Sequence, residues 1–79
     1  MTQLLLYTTA GCHLCEDAQK ILETIGCKWS PIEISTDNDL IKHYGIRIPV
    51  VGIKGQEEEL GWPFSENELK NWLNKITSG

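Results

Sequence analysis

The chain has 79 residues, with seven basic and eleven acidic side chains and a formal net charge of -4. A chain of this length has room for one hydrophobic core, which predicts a single domain over residues 1–79. The acidic balance argues against nucleic acid and against an anionic membrane surface as partners. The longest apolar run, Leu4–Tyr7, is far below the roughly 20 residues that cross a bilayer. Because the first residues also lack the pattern of a signal peptide, we expect a cytoplasmic protein.

A strand, a helix and a second strand come first in chain order. The apolar run at Gln3–Tyr7 predicts a short buried strand. The next segment predicts an amphipathic helix, since its apolar residues recur on one helical face: Leu14, Ala18, Ile21, Leu22 and Ile25. Gly26 suits the left-handed position that ends a helix. Residues 28–35 alternate as a strand does, and Pro31 predicts a place at the sheet edge, because proline lacks the N–H of a ladder.

A short helix and two further strands follow. Thr36 or Asp37 is a suitable cap for a helix that carries Leu40, Ile41 and Tyr44 and that Gly45 would end. Residues 49–53 predict a strand, residues 54–56 a hairpin turn, and residues 57–60 a second edge strand. The acidic side chains of this last strand would discourage pairing with another chain.

The last segment, residues 65–78, carries the clearest helix signal. Ser65 and Glu68 have the spacing of a capping box, and Phe64 and Leu69 that of a hydrophobic staple. The predicted order is therefore β-α-β-α-β-β-α, in which the first three elements form a right-handed parallel unit. We expect an α/β fold with a four-stranded mixed sheet and three helices packed on it.

Three cysteines, Cys12, Cys15 and Cys27, carry the chemistry that the sequence suggests. An odd count in a cytoplasmic protein does not indicate a structural disulfide framework. Cys12 and Cys15 form a Cys-x-x-Cys pair between a strand and a helix, the setting typical of redox-active thiols. Unpaired N–H groups and the helix dipole stabilise a thiolate there, where a cysteine pKa falls from about 8.5 to roughly 3.5–7.5. Cys12 is thus the expected exposed nucleophile, and Cys15, one turn later, the resolving thiol.

The neighbouring residues leave alternatives open. A protonated His13 would lower the Cys12 pKa further or relay a proton; otherwise it is an exposed residue without a special role. Glu16 and Asp17 compete for the same positive potential. Half of a zinc site is another interpretation of the pair, but zinc needs four ligands, so no metal is expected. Cys27 is expected to pack as a small apolar side chain, and a regulatory or dimer-forming thiol is the alternative.

The chain resembles, over its whole length, the short glutaredoxin-like proteins of bacteria, which belong to the thioredoxin superfamily. The resemblance lies in Leu5–Thr8 leading to Gly11–Glu16, in Tyr44–Val50 and in Leu60–Phe64. It implies a thioredoxin-like fold with strand order 2-1-3-4, the nucleophile role for Cys12 and the resolving role for Cys15. It also implies a cis bond before Pro49, which would set the backbone N–H and C=O of Ile48 beside the cysteines to pair with an extended substrate.

Several positions depart from the family pattern. His13-Leu14 replaces Pro-Tyr, Arg47-Ile48 replaces Thr-Val, and residues 60–66 replace a Gly-Gly followed by an acidic pair. Thr9 and Ala10 occupy the place of a lysine. Arg47 could bind a glutathione carboxylate or steady the thiolate, or be a solvated loop cation. Trp62 is expected to form an apolar wall of the substrate groove.

We therefore predict a monomeric thiol–disulfide oxidoreductase that reduces protein disulfides or glutathione mixed disulfides. No cofactor is expected, and the reductant is either glutathione, as a co-substrate, or a reductase. Two alternatives remain open: a module that binds an iron–sulfur cluster through thiolates, and a redox sensor or adaptor with little turnover.

Overall fold

A computed structural model describes residues 3–78, and the side chains of residues 3–76. Met1, Thr2 and Gly79, which the predicted domain over 1–79 includes, lie outside the described residues. The described elements follow the predicted order, with one short 3₁₀ turn, Ile34–Thr36, added after the second strand. They are β1 (Leu4–Thr8), α1 (His13–Ile25), β2 (Trp29–Glu33), α2 (Asn38–Tyr44), β3 (Val50–Ile53), β4 (Glu59–Gly61) and α3 (Glu66–Ser78).

The four strands form one mixed sheet in the order β2-β1-β3-β4. Strand β1 lies inside it, parallel to β2 and antiparallel to β3, while β4 pairs antiparallel with the far side of β3. Leu6 is opposite Pro31 on one side and Val51 on the other. The predicted strand order and the edge position of the strand that contains Pro31 are both confirmed.

The sheet has a hydrophobic cluster on each face. Successive strand residues point to opposite faces, so Leu6 and Val51 join the larger cluster and Tyr7 and Val50 the smaller one. The larger cluster also takes buried residues of α1 and α3: Ala18, Leu22 and Leu69. The smaller cluster is completed by Ile34 and by Tyr44 of α2. Helices α1 and α3 therefore cover one face, and α2 covers the other.

Local signals define most helix ends as predicted. Ser65 Oγ accepts from the Glu68 N–H and Glu68 Oε1 accepts from the Ser65 N–H, each at 3.1 Å, which is the capping box. Asp37 caps α2, since its Oδ1 accepts from the Asp39 N–H at 2.8 Å. Gly26 ends α1 in the left-handed region at φ 84°.

Two helix positions and two strand boundaries differ clearly from the predictions. Strand β2 ends at Glu33, two residues earlier than predicted, where the 3₁₀ turn begins. Leu14 and Ile41 were expected on buried helix faces, yet they are 48% and 41% exposed. In α1 the buried residues are Cys15, Ala18 and Leu22. Leu14 lies at the edge of that stripe, about 40° around the helix from Ala18 and about 100° from Cys15. Strand β4 starts at Glu59, two residues later than predicted, because its ladder with β3 begins where Glu59 meets Gly52.

Candidate active site at the start of the first helix

The predicted site residues meet at one end of the sheet. Because β1 and β3 are antiparallel, with Tyr7 opposite Val50, the loop that leaves β1 and the loop that enters β3 lie at the same end of the sheet. Cys12 belongs to the first loop and Pro49 to the second. The Trp62 N–H, just past β4, donates to the Pro49 carbonyl at 3.1 Å. The tertiary structure thus brings the segments that carry Cys12, Pro49 and Trp62 to one end of the sheet.

Cys12 and Cys15 are joined by a disulfide at the start of α1, with their Cα atoms 5.2 Å apart. Cys12 is the N-cap residue, and its Sγ accepts from the Cys15 N–H at 3.1 Å. The side chain of an N-cap residue normally satisfies one of the free N–H groups of the first turn, and here a sulfur does so. Cys15 is only 1% exposed, whereas Cys12 is partly exposed. The pair therefore has one accessible sulfur and one sheltered sulfur.

His13 points away from the protein and is close to an acid. Its side chain is 95% exposed, and Nδ1 lies 3.7 Å from Glu16 Oε2. The position of His13 beside Cys12 makes both predicted roles, proton relay and electrostatic support, testable by substitution. Glu16 opposes the second of them, because a carboxylate beside the imidazole offsets its charge.

The bond between Ile48 and Pro49 is cis, as the resemblance implied. Pro49 is fully buried and Ile48 is half-buried. The Ile48 N–H donates to the Tyr44 carbonyl at 3.0 Å, so this donor, expected to pair with substrate, already has an acceptor within the chain. The Ile48 carbonyl is left as the expected substrate contact. A second cis bond, Trp62–Pro63, was not predicted.

Arg47 lies in a polar cluster that the sequence did not reveal. Its Nη2 is 3.5 Å from Glu59 Oε1, and its guanidinium carbon lies 5.6 Å from the centre of the Tyr44 ring. The Tyr44 hydroxyl donates to Glu59 Oε2. The Arg47 guanidinium is therefore paired with a carboxylate of its own chain, while about half of its side chain stays exposed. Binding of a glutathione carboxylate or support of the thiolate, and the alternative of a solvated loop cation, both stay predictions. No local pattern predicts the pair, since Glu59 is brought to Arg47 by the β3–β4 pairing.

The ring of Tyr44 in this cluster packs against a second tyrosine, Tyr7. The Tyr7 ring stacks on the Tyr44 ring with centroids 4.1 Å apart. A side-chain Cβ at Gly52 would lie 3.3 Å from the Tyr7 ring, so the glycine lets the ring lie close to strand β3. Burial, and next the hydrogen bond to Glu59, raise the pKa of Tyr44. Tyr44 therefore stays a neutral donor over the physiological pH range.

Trp62 and Phe64 form an aromatic pair beside the site. Their centroids are 5.1 Å apart in an edge-to-face arrangement. Phe64 is buried in the larger cluster, as expected, and Trp62 is partly buried against it. Trp62 therefore offers part of its ring at the same edge as Pro49, where a groove wall was predicted.

Two further ionisable groups have shifted pKa values. Hydrogen bonding to the Thr9 side chain, and then to Ser35, lowers the pKa of Glu33, whose residue is opposite Thr8 at the end of β1. Burial raises the pKa of the Cys27 thiol, and Cys27 packs against the larger cluster. Its position fits the predicted role as a small apolar side chain.

Across residues 3–78, no three His, Cys, Asp or Glu side chains converge as metal ligands would. Over the same residues, every helix is too short or too polar to cross a bilayer.

The sheet order, the helix placement and a Cys-x-x-Cys disulfide at the start of α1 define the thioredoxin-like class of protein. Comparison with known structures agrees. The X-ray structure of protein XcR50 from X. campestris superposes with a TM-score of 0.84 and 34% sequence identity, covering 91% of this chain and 96% of that one. The solution structure of protein Ne2328 from Nitrosomonas europaea has a TM-score of 0.77 and 24% identity, covering 90% and 89%.

A mutant thioredoxin from Halobacterium salinarum shares the fold with a TM-score of 0.71 at 23% identity, covering 96% of this chain and 74% of that one. A family model described as a glutaredoxin-like domain (DUF836) matches residues 3–74. The chain therefore belongs to this glutaredoxin-like family, as the resemblance indicated. No curated protein matches the sequence.

Proposed function

We propose that this protein is a cytoplasmic thiol–disulfide oxidoreductase that reduces protein disulfides or mixed disulfides. The observation that carries the proposal is the asymmetry of the pair: a partly exposed Cys12 sulfur receives an N–H at the helix start, and the Cys15 sulfur lies sheltered behind it. A sulfur held by N–H donors is stabilised as a thiolate. Exposure makes it the one that a substrate reaches.

The reaction is two successive thiol–disulfide exchanges. The Cys12 thiolate attacks one sulfur of a substrate disulfide, a protein–substrate disulfide forms, and the other substrate sulfur leaves as a thiolate. Cys15 then loses its proton and attacks Cys12 Sγ, which releases the second substrate thiolate. Two electrons pass to the substrate, and the Cys12–Cys15 disulfide remains. An external thiol, glutathione or a reductase, restores the dithiol by the reverse exchange.

The residues beside the Cys12–Cys15 pair are suited to bind an extended substrate segment. Pro49, the Ile48 carbonyl and the partly exposed Trp62 ring line the same end of the sheet as Cys12. We propose that a segment of substrate chain lies there, with its disulfide over Cys12.

The proposal is tested by reduction of a glutathionylated peptide with glutathione as the reductant, in the native chain, Cys12→Ser and Cys15→Ser. Activity in the native chain and in Cys15→Ser, with none in Cys12→Ser, would support a glutaredoxin-type reaction. If all three fail, the prereduced native protein is mixed with a protein disulfide. Reduction of that protein disulfide would indicate an oxidoreductase whose reductant is not glutathione. No reduction would contradict the proposed oxidoreductase and favour the redox sensor.

A further inference from the structure

From the cluster around Arg47 we infer that Glu59 is a specificity-determining residue, one that makes this active site favour uncharged substrate segments over carboxylate-bearing ones such as glutathione. The inference rests on the proposed function and concerns the substrate class of the same site.

Arg47 is the cation that the chain places nearest to Pro49 in sequence, two residues before it. A free guanidinium there would attract the carboxylates of glutathione, as arginine does at many carboxylate-binding sites. In this structure the guanidinium instead faces Glu59, with Nη2 and Oε1 3.5 Å apart. The positive charge that would select an anionic substrate is therefore offset by a fixed negative charge.

Glu59 is held in place by more than Arg47. Its other carboxylate oxygen accepts from the Tyr44 hydroxyl, and its backbone belongs to β4, opposite Gly52. The Glu59 side chain is 22% exposed and that of Arg47 is 46% exposed. A substrate carboxylate would have to displace an anchored and largely covered carboxylate to pair with Arg47 itself.

The loop that carries Arg47 is fixed as well. The backbone N–H groups of Arg47 and Ile48 both donate to the Tyr44 carbonyl, at 2.8 and 3.0 Å. Arginine has five N–H donors, and about half of this side chain stays accessible. A neutral acceptor, such as a peptide carbonyl, can use these donors without meeting the repulsion from Glu59 that a carboxylate would meet.

The experiment compares two mixed disulfides of one peptide, one with glutathione and one with glutathione diethyl ester, in which both carboxylates are masked. At pH 7 the free carboxylates are ionised. The DTT-reduced, desalted protein is mixed with each in a single turnover, and the ratio of the acid rate to the ester rate is the readout. That ratio cancels changes in Cys12 itself.

Glu59→Gln keeps an oxygen for the Tyr44 hydroxyl and removes the charge. We expect it to raise the acid-to-ester ratio about three- to fivefold, the effect of roughly one exposed ion pair. Arg47→Gln leaves Glu59 unpaired, so it should lower the ratio by a similar factor. The double variant should lack the gain of Glu59→Gln.

Glu58→Gln is the matched control, since it changes the net charge equally at the neighbouring residue, which lies in a cleft with Trp72 and Lys75. The inference is overturned if the acid-to-ester ratio is unchanged in Glu59→Gln, or if it rises equally in Glu58→Gln. If Glu59→Gln does not fold, an unchanged ratio in Arg47→Gln overturns the inference in its place. A native chain that reduces a protein disulfide but reacts with neither mixed disulfide also overturns the inference, since the ester should react. A native chain that reduces neither kind of disulfide, like Cys12→Ser, refutes the proposed function instead.

Discussion

Replacing Tyr44 by phenylalanine removes one oxygen, and its effect on stability should depend on pH in a defined way. In the native chain the buried Tyr44 hydroxyl donates to the Glu59 carboxylate. A hydrogen bond to a charged group contributes about 1.5–3 kcal/mol, and the partial exposure of Glu59 places this one near the lower limit. At pH 8, Tyr44→Phe should therefore lower the free energy of unfolding by about 1–2 kcal/mol.

The sign of the pH effect follows from the raised pKa of Tyr44. Tyrosine in the unfolded chain loses its proton near pH 10, while Tyr44 in the folded chain keeps it to higher pH. The stabilisation is complete below pH 10 and is lost as the pH rises above it, because the unfolded state binds fewer protons there. At pH 11 the native chain should have lost about 1.4 kcal/mol that the phenylalanine variant never had.

The measurement is urea unfolding of the oxidised proteins at pH 8 and pH 11, followed by tryptophan fluorescence. The tryptophans at 29, 62 and 72 are partly buried against the larger cluster and would report unfolding. The stability difference between native chain and Tyr44→Phe should shrink to near zero at pH 11. The control is Ser65→Ala, whose deficit should stay constant. A Tyr44→Phe deficit of the same size at both pH values would refute the reasoning.

Two further predictions concern the helix cap and the third cysteine. Ser65→Ala removes the acceptor of the Glu68 N–H and should cost about 1 kcal/mol, seen as a fall in Tm of roughly 4–8 °C; Glu68→Gln keeps the reciprocal acceptor, so an equal loss in that variant would contradict the capping-box explanation. In the reduced protein at pH 7, limiting iodoacetamide should alkylate Cys12 well before Cys27, because burial raises the pKa of Cys27. Peptide mass mapping gives the order of labelling, and the control Cys27→Ser should leave the labelling of Cys12 unchanged. Labelling of Cys27 before Cys12 would disprove the prediction.

The amino-acid sequence alone determined the features that depend on nearby residues. The order of elements, the edge strand with Pro31, the cap at Ser65 and the end of α1 at Gly26 could all be predicted, and the structure confirms them. Each is local, since it follows from a residue's own backbone preferences or from side chains within four positions. The Cys-x-x-Cys pair belongs here too, because its meaning comes from standing between a strand and a helix.

Only the tertiary structure decided the environment of the candidate site. Arg47 and Glu59 are distant in sequence, and so are Tyr7 of β1 and Tyr44 of α2, whose rings stack. Such contacts depend on strand register, and neither hydrophobic period nor turn chemistry specifies which side chains a register brings together. The same reason explains the error at β4, whose start is set by its pairing with Gly52. The exposure of Leu14 has another cause, because Leu14 lies at the edge of the buried stripe of α1 and helical periodicity does not show how far packing extends around the helix. The pairing of β3 with β4 is what brings the Glu59 carboxylate beside Arg47.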